Sequence, residues 1–274
     1  MEKTINRLLS FLGIKIVRLG QETLEKPAKN ISTGTLLDHD TIDDTYLKAV
    51  AAGKEAFGSS TFPDDIPVFT MHEAVKYVLS NEIKGDIVEC GVGDGSKIFM
   101  AGWLCQYIGE NDRNIYLYDT FSGMTMPCER DFKIKKGRLL SSYQATKNRY
   151  DSSKTEFGST WAYTPLRDVK NTIMKTGYSQ NLCHYVEGDV LQTIPSIQPT
   201  NIAVLRLDTD FYDSTMHELL HLYHLVVPGG VIIFDDYGSW NGQKTAVDDF
   251  FAGIQFEPLL LRTCWKERLY VKMQ

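Results

Sequence analysis

The sequence lacks the features that mark several large classes of protein. Among its 274 residues, no apolar run approaches the ~20 residues that a membrane-spanning helix needs. No repeat of solenoid length is present. Lys and Arg number 29 against 35 Asp and Glu, a net charge of −6, so the basic excess typical of nucleic-acid-binding proteins is missing. We therefore expect neither a membrane span nor a nucleic-acid partner.

Cysteines are few and scattered. There are five, with no CxxC pair, and such a set is typical of reduced thiols in a cytosolic protein. We therefore expect a cytoplasmic location. Hydrophobic residues make up 43% and charged residues 23%, an ordinary globular composition.

Short apolar runs alternate with helical patterns along most of the chain. The β-rich runs cover residues 86–91, 114–119, 183–189, 202–208 and 231–236. Helical patterns lie near 97–108, 165–175 and 214–225. This alternation is typical of a parallel sheet with helices on both faces. The sequence therefore predicts an α/β fold with a mostly parallel, Rossmann-like sheet.

The chain closes on two further predicted strands, 256–262 and 268–273. The five residues between them are too few for a helical crossover, so the two strands should be antiparallel. Five parallel strands with such a hairpin resemble the sheet of a class I methyltransferase rather than that of a dehydrogenase.

Two segments stand apart from this pattern. Residues 1–65 are predicted to be a helical or irregular extension, with a short helix near 44–57, before a domain covering 66–274. Residues 121–164 are polar and rich in lysine, and they follow the second strand at the end where such sheets bind ligands. A loop this long is typically a lid, a binding loop or disordered.

A glycine loop follows the first strand, with Gly91, Gly93 and Gly95 spaced as GxGxG after Glu89. Glycines let a backbone turn sharply and approach a ligand closely. A dinucleotide-binding loop would have GxGxxG spacing, and Glu89 with Asp94 would repel its pyrophosphate. These acids suit an ammonium or a ribose, although a tight turn with no ligand remains an alternative.

Acids also end the next two strands. Asp119 ends the second strand, where an acid can accept both hydroxyls of a ribose, or can simply cap the next segment. Asp189 ends the third strand in a Glu-Gly-Asp sequence. In methyltransferases an acid at this place can bind the adenine amino group, and a plain turn is the alternative.

Three aspartates end the fourth and fifth strands. Asp208 follows the fourth strand, and Asp235 and Asp236 follow the fifth. If the two strands are neighbours, these carboxylates converge, and like charges held together need a proton or a cation. An all-oxygen cluster suits Mg²⁺, which would orient a nearby hydroxyl and lower its pKa. The alternative is that some of these acids only cap helices.

A competing metal motif is HExxH at His217, Glu218 and His221, with His224 one turn further on. This is the pattern of zinc proteases. It lies, however, on a predicted crossover helix whose leucines are available to pack on the sheet. A solvated histidine face is therefore the favoured interpretation, and a zinc peptidase is the alternative.

Six motifs together resemble the macrocin O-methyltransferase family of the TylF/MycF type, from about residue 69 to residue 251. They are GDIVECGV (85–92), DRNIYLYDTFSG (112–123), VEGDVLQTIP (186–195), AVLRLDTDFYDST (203–215), VPGGVIIFDDYG (227–238) and AVDDF (246–250). The resemblance implies a class I fold, S-adenosylmethionine as methyl donor and Mg²⁺.

The resemblance also implies roles for individual residues. Metal ligands would be Asp208, Asp235 and Asp236, with Asp208 also the candidate catalytic base. Residues around the methyl donor would be Glu89, Asp119, Ser122 and Asp189, beside the loop glycines Gly91 and Gly93.

The sequence thus predicts Mg²⁺-dependent methyl transfer to a hydroxyl, expected on a sugar of a natural product, a nucleotide sugar or a surface glycan. A catechol acceptor is the main alternative. A nicotinamide oxidoreductase, the zinc peptidase and a non-catalytic S-adenosylmethionine-binding protein are more distant ones. A homo-oligomer is a further expectation.

Overall fold

The computed structural model describes residues 44–58, 61–63 and 65–274. Its helices are α1 (Asp44–Phe57), α2 (Ile66–Ser80), α3 (Ser96–Ile108), α4 (Tyr143–Ser153), α5 (Leu166–Met174), α6 (Val190–Thr193), α7 (Tyr212–Leu222) and α8 (Asn241–Gly253). Its strands are β1 (Asp86–Cys90), β2 (Ile115–Asp119), β3 (Ile134–Lys135), β4 (Arg138–Leu139), β5 (Lys154–Thr155), β6 (Gly158–Ser159), β7 (Cys183–Glu187), β8 (Ile202–Leu207), β9 (Val226–Phe234), β10 (Leu261–Arg262) and β11 (Arg268–Val271).

Seven strands form one sheet in the order β10-β11-β9-β8-β1-β2-β7. Strands β7, β2, β1, β8 and β9 run parallel, whereas β11 is antiparallel to β9 and to β10. The predicted sheet and its terminal hairpin are confirmed. The chain order reverses between β1 and β8, and open α/β sheets bind ligands at the carboxyl ends of the strands at such a point.

The sheet is covered on both faces because successive side chains of a strand point to opposite sides. In β1, Ile87 packs into a core with α1, α2, α3 and α5, whereas Val88 packs into a second core with α6, α7 and α8. Every residue of β8 is buried. A central parallel strand that is covered twice therefore appears in the sequence as a nearly continuous apolar run, which in β8 is interrupted by Arg206 alone.

Helix α1 confirms the helix predicted near residues 44–57. Tyr46, Ala49 and Val50 of this helix are buried in the first core, against residues of α2 and α3. The rest of the predicted extension, residues 1–43, lies outside the described residues. The division of the chain at residue 65 stays a prediction.

The segment 121–164 contains helix α4 and the hairpins β3–β4 and β5–β6, where the sequence indicated only a long polar loop. Helix α4 buries Thr146 alone, so it has no apolar stripe by which sequence periodicity could reveal it. The Ser142 side chain caps it by accepting from the Ala145 amide at 3.3 Å. Trp161 anchors the end of the segment against Phe211 and Trp240.

Helix α8 was also not predicted as a helix. Its buried positions include Ala246, Val247, Phe250 and Phe251, spaced for one helix face. Among the described residues, no helix is long and apolar enough to cross a membrane.

Candidate active site

A cavity of about 280 Å³ opens at the carboxyl edge of the sheet. Its lining includes seven of the residues that the sequence singled out: Gly91, Gly93, Asp119, Asp189, Asp208, Asp235 and Asp236. They come from the ends of β1, β2, β7, β8 and β9, which the sheet order brings together.

The glycine loop after β1 makes the close approach that its spacing predicts. Gly91 has φ of +83°, and a Cβ atom there would lie 2.6 Å from the carbonyl carbon of Asp208. Gly93 has φ of +55°, and a Cβ there would meet nothing within 4 Å. The first glycine therefore lets β1 and β8 end side by side, and the second keeps the cavity open.

Asp119 ties the glycine loop to the end of β2. One carboxylate oxygen accepts from the Val92 and Gly93 amides at 2.8 and 3.0 Å, and the other accepts from the Phe121 amide at 2.7 Å. An ionised carboxylate has about four acceptor positions, so one remains for a ribose hydroxyl, with the Thr120 hydroxyl 3.5 Å from the carboxylate. Asp119 thus shapes the loop and also faces the cavity.

The sequence left open whether Asp189 is a ligand-binding acid or part of a plain turn, and the structure is compatible with both. Its side chain accepts from the Leu191 amide at 3.0 Å at the start of α6, and the residue lines the cavity. A capping role therefore does not remove it from the site.

The structure brings together the carboxylates of Asp208, Asp210 and Asp236. Their ligand atoms all lie within 4.8 Å of one another, in the arrangement that could hold a metal ion. Asp208 and Asp210 follow β8 and Asp236 follows β9, and the two strands are paired in parallel. The predicted convergence is thus present, but Asp210 stands in this group where the sequence placed Asp235.

Asp235 faces two cations instead. Its carboxylate contacts Arg206 at 2.5 Å and also contacts Lys266. Although burial alone would raise its pKa, these two cations hold the pKa of Asp235 well below its usual range. Asp235 still lines the cavity.

Arg206 is a fully buried arginine in the central strand β8. Its guanidinium contacts four carboxylates: Glu89 at 2.9 Å, Asp208 at 2.9 Å, Asp235 at 2.5 Å and Glu267 at 3.2 Å. Because a buried charge is tolerated only when it is paired, these contacts fix the orientation of Asp208 and Asp235.

The remaining aspartates of the group lie in a low-dielectric, acidic setting. Burial, and then the charge of Asp235, raises the pKa of Asp208 well above its usual value. Burial, followed by the charge of Asp236, does the same for the pKa of Asp210. Asp210 also has a left-handed backbone, with φ of +65°. Non-glycine residues in this conformation concentrate at functional sites.

Two residues of the site were not found from the sequence. Lys97 lines the cavity and forms no ion pair or hydrogen bond among the described residues. Burial acts to lower its pKa, but Asp208 and other carboxylates raise it above the usual value. Lys97 directly follows the glycine loop and Ser96, a signal that sequence reasoning could have used.

Gln243 is the second such residue. It is fully buried on α8, accepts from the Asp236 amide at 2.6 Å and donates to the Leu207 carbonyl at 3.0 Å. The backbone amide of Gln243 donates to the Asp210 carbonyl at 3.0 Å. Gln243 therefore links the ends of β8 and β9, and no sequence motif announced this.

Two predicted donor-site residues do not line the cavity. Glu89 is fully buried inside β1, where burial raises its pKa to about 7 although Arg206 acts to lower it. One of its carboxylate oxygens has no partner among the described residues. Ser122 lies beside the cavity, where its carbonyl accepts from the Ser159 amide at 2.7 Å. Their predicted contact with the donor stays untested.

The HExxH residues are engaged elsewhere. A ring nitrogen of His217 lies 2.9 Å from the Ile194 carbonyl oxygen, and one of His221 lies 2.8 Å from the His217 carbonyl oxygen. Glu218 is fully buried, and burial raises its pKa well above its usual value. The metal-holding group found in the described residues contains only the three aspartates, so the zinc-peptidase alternative has no support.

A seven-stranded sheet in this order, with a glycine loop after β1 and acids after the next strands, defines a class I methyltransferase fold. Solved structures share it. The O-methyltransferase NovP superposes with a TM-score of 0.69 at 20% identity, covering 84% of this chain and all of that one. The calicheamicin methyltransferase CalS11 gives 0.55 at 16% identity, covering 90% of this chain and 98% of that one.

The family described as macrocin-O-methyltransferase (TylF) matches residues 67–258. The chain belongs to this family, and the predicted family is thereby confirmed.

The names of curated relatives describe O-methyl transfer. A tetracenomycin 4'-O-methyltransferase of Streptomyces olivaceus is 28% identical over 64% of this chain and 61% of its own length. The mycinamicin III 3''-O-methyltransferase of Micromonospora griseorubida is 26% identical over 61% of each chain. The match thus spans about three-fifths of the length of these relatives.

Proposed function

We propose that the protein transfers a methyl group from S-adenosylmethionine to a hydroxyl of a sugar. Membership of the macrocin O-methyltransferase family supports the reaction. The name of one relative contains a rhamnosyl group, and another relative acts on the glycoside mycinamicin III by name, which supports the acceptor class.

The proposed donor site is the glycine-loop side of the cavity. Gly91 and Gly93 give the backbone close approach, Asp119 offers oxygens to the ribose, and Asp189 lies where it can meet the adenine. Lys97, with no ion-pair partner among the described residues, is suited to a carboxylate of the donor.

The observation that carries the metal proposal is a charge imbalance. Around the cavity, the six carboxylates of Glu89, Asp208, Asp210, Asp235, Asp236 and Glu267 form ion pairs with only two cations among the described residues, Arg206 and Lys266. Asp208 shares Arg206 with three other carboxylates, and Asp236, at 3.8 Å, shares Lys266 with Asp235. Asp210 has no ion-pair partner among the described residues, so the group of Asp208, Asp210 and Asp236 is short of positive charge. Oxygen ligands in this number fit Mg²⁺.

The predicted ligand set is therefore revised in one position, with Asp210 in place of Asp235. Bound there, Mg²⁺ would orient the acceptor hydroxyl and lower its pKa. Asp208 keeps its predicted role as the base that accepts the hydroxyl proton.

Three matched variants test this proposal: Asp208→Asn, Asp210→Asn and Asp235→Asn. Methyl transfer from labelled S-adenosylmethionine would be measured on panels of glycosides, nucleotide sugars and catechols while Mg²⁺ is titrated after chelation. Asp208→Asn should abolish turnover, and S-adenosylhomocysteine, the product of the donor, should still bind.

Asp210→Asn should raise the Mg²⁺ concentration needed for half-maximal activity by about tenfold or more, as loss of one charged ligand predicts. Asp235→Asn should change it less. Full activity in the presence of chelator would refute the metal role, a larger Mg²⁺ effect for Asp235 would restore the original set, and methylation of catechols alone would refute the sugar acceptor.

A further inference from the structure

Next to the acidic cavity lies a second cleft whose charge is opposite. It lies between the hairpin β3–β4, the segment after β9 and the hairpin β10–β11. We call this space the basic cleft. Its charged lining residues are Lys136, Lys244, Arg262 and Arg268. No carboxylate lines it in the part of the chain that the structure describes.

Two of these cations are cross-strand neighbours. Arg262 and Arg268 are directly opposite in the antiparallel pair β10–β11, and neither forms an ion pair among the described residues. Like charges directly opposite on paired strands are destabilising. Burial and the neighbouring charge of Arg262 together lower the pKa of Arg268. A fold that keeps two such arginines together without an acid is suited to an anionic ligand.

The hairpin β3–β4 adds charge from the other side. Residues 133–138 include four cations, Lys133, Lys135, Lys136 and Arg138, of which Lys136 lines the cleft, and none of the four forms an ion pair among the described residues. Lys136 and Gly137, at the turn of β3–β4, have left-handed φ of +52° and +72°. In contrast, Lys244 is already paired with Asp248 on α8. The cations of the cleft that form no ion pair among the described residues are therefore Lys136, Arg262 and Arg268. The two arginines donate only to the backbone carbonyls of Cys264 and Glu267, which leave their charge uncompensated.

The basic cleft adjoins the place of reaction. Asp236 and Lys266 line the acidic cavity, and the next residues in sequence, Tyr237 and Trp265, line the cleft. The amide of Gly238 donates to the Lys266 carbonyl at 2.7 Å, which fastens the two walls together. A ligand with one neutral end and one anionic end could therefore occupy both spaces at once.

We propose that the basic cleft binds the diphosphate of a nucleotide-activated sugar, whose hydroxyl then lies at the acidic cavity. This assignment rests on the proposed function and narrows its acceptor class. Arginines bind phosphate oxygens through parallel hydrogen bonds, whereas a lysine attracts them as a point charge. Nucleic acid fits less well, because the whole chain carries a net charge of −6 and the free cations are confined to one recess.

The test is calorimetric titration of the full chain with inorganic pyrophosphate, uridine diphosphate and orthophosphate, in chelator so that no Mg²⁺ complex forms. The variants are Arg262→Gln with Arg268→Gln, and separately Lys136→Gln. The control is Arg167→Gln with Lys170→Gln, which removes the same charge from α5. S-adenosylhomocysteine is titrated into every protein.

We expect pyrophosphate and uridine diphosphate to bind the unaltered protein and to lose roughly tenfold or more in affinity in the double arginine variant, one charge-assisted contact being worth about that factor. The affinity for both ligands should fall by a smaller factor in Lys136→Gln, and it should not change in the α5 control. Lys136 forms no hydrogen bond or ion pair among the described residues, so its replacement separates binding from folding.

Absence of pyrophosphate binding, an equal loss in the control, or orthophosphate binding as tight as pyrophosphate would overturn the proposal. Failure of S-adenosylhomocysteine to bind would instead overturn the proposed function, whatever the anions do.

Discussion

Gly91 shows how a single residue sets the geometry at the carboxyl edge of the sheet. Its left-handed backbone lets the glycine loop pass against the Asp208 carbonyl. Gly93 has the same handedness but faces open space. The two glycines of one motif therefore have separable roles, close packing for the first and room for a ligand for the second.

Replacement of Gly91 by alanine should reduce the free energy of unfolding by about 1–3 kcal/mol or more, because its Cβ would clash with the Asp208 backbone in addition to the strain of the left-handed conformation. Gly93→Ala should reduce it less and should weaken S-adenosylhomocysteine binding by narrowing the cavity. Urea unfolding and calorimetric titration of both variants measure this contrast. Equal stability losses would show that the close approach to Asp208 is not what requires Gly91.

Asp119 offers a second test at the same scale. Asp119→Ala removes the acceptor of three backbone amides, from Val92, Gly93 and Phe121. The glycine loop then loses its anchor and the ribose loses its acid, so the affinity for S-adenosylhomocysteine should fall by roughly tenfold or more. Asp112→Ala, at an exposed site before β2, is the control. Unchanged affinity would count against the donor site.

Individual residues were predictable where strand ends define them. Asp119, Asp189, Asp208 and Asp236 follow strands whose order the sheet type fixes, so their meeting could be expected. Asp210 could not be chosen over Asp235, because the choice depends on a left-handed backbone and on which carboxylate Arg206 and Lys266 occupy. The spacing of residues in the sequence reveals neither the backbone conformation nor these ion pairs.

At the scale of elements, helix α8 holds the two acidic strand ends together. Gln243 satisfies the Leu207 carbonyl and the Asp236 amide with one side chain. Buried backbone groups that lose a partner are costly, so this contact keeps β8 and β9 in a fixed register near the proposed metal ligands.

Gln243→Ala should therefore lower the free energy of unfolding by about 1–3 kcal/mol. It should also lower turnover and raise the Mg²⁺ requirement, while the affinity for S-adenosylhomocysteine stays near that of the unaltered protein. Gln106→Ala, exposed on α3, is the matched control. Loss of donor affinity without loss of turnover would contradict this role.

The elements that the sequence predicted are those with a buried periodic pattern. Strands β1, β2, β7, β8 and β9 and helices α3, α5 and α7 were anticipated within about five residues, whereas the four-residue helix α6 was not predicted. Helix α4 and the small hairpins of segment 121–164 were not, since they are short, polar and held by caps and turns rather than by an apolar face.

For the whole molecule, charge separates the proposed ligands by region. In the proposed arrangement, the acidic group would bind the metal, the glycine loop the donor, and the basic cleft beside them the anionic end of the acceptor. The net charge of −6 conceals this arrangement, because it averages over surfaces of opposite sign. Composition excluded some classes of partner but could not place the cleft.

The central claim is that this cavity binds S-adenosylmethionine and not a dinucleotide. Calorimetric titration with S-adenosylhomocysteine, with and without Mg²⁺ and with NAD⁺ as control, tests it most directly. The account predicts micromolar binding of S-adenosylhomocysteine that persists without Mg²⁺, and no binding of NAD⁺. Binding of NAD⁺ with none of S-adenosylhomocysteine would contradict the proposed roles of Gly91, Gly93 and Asp119.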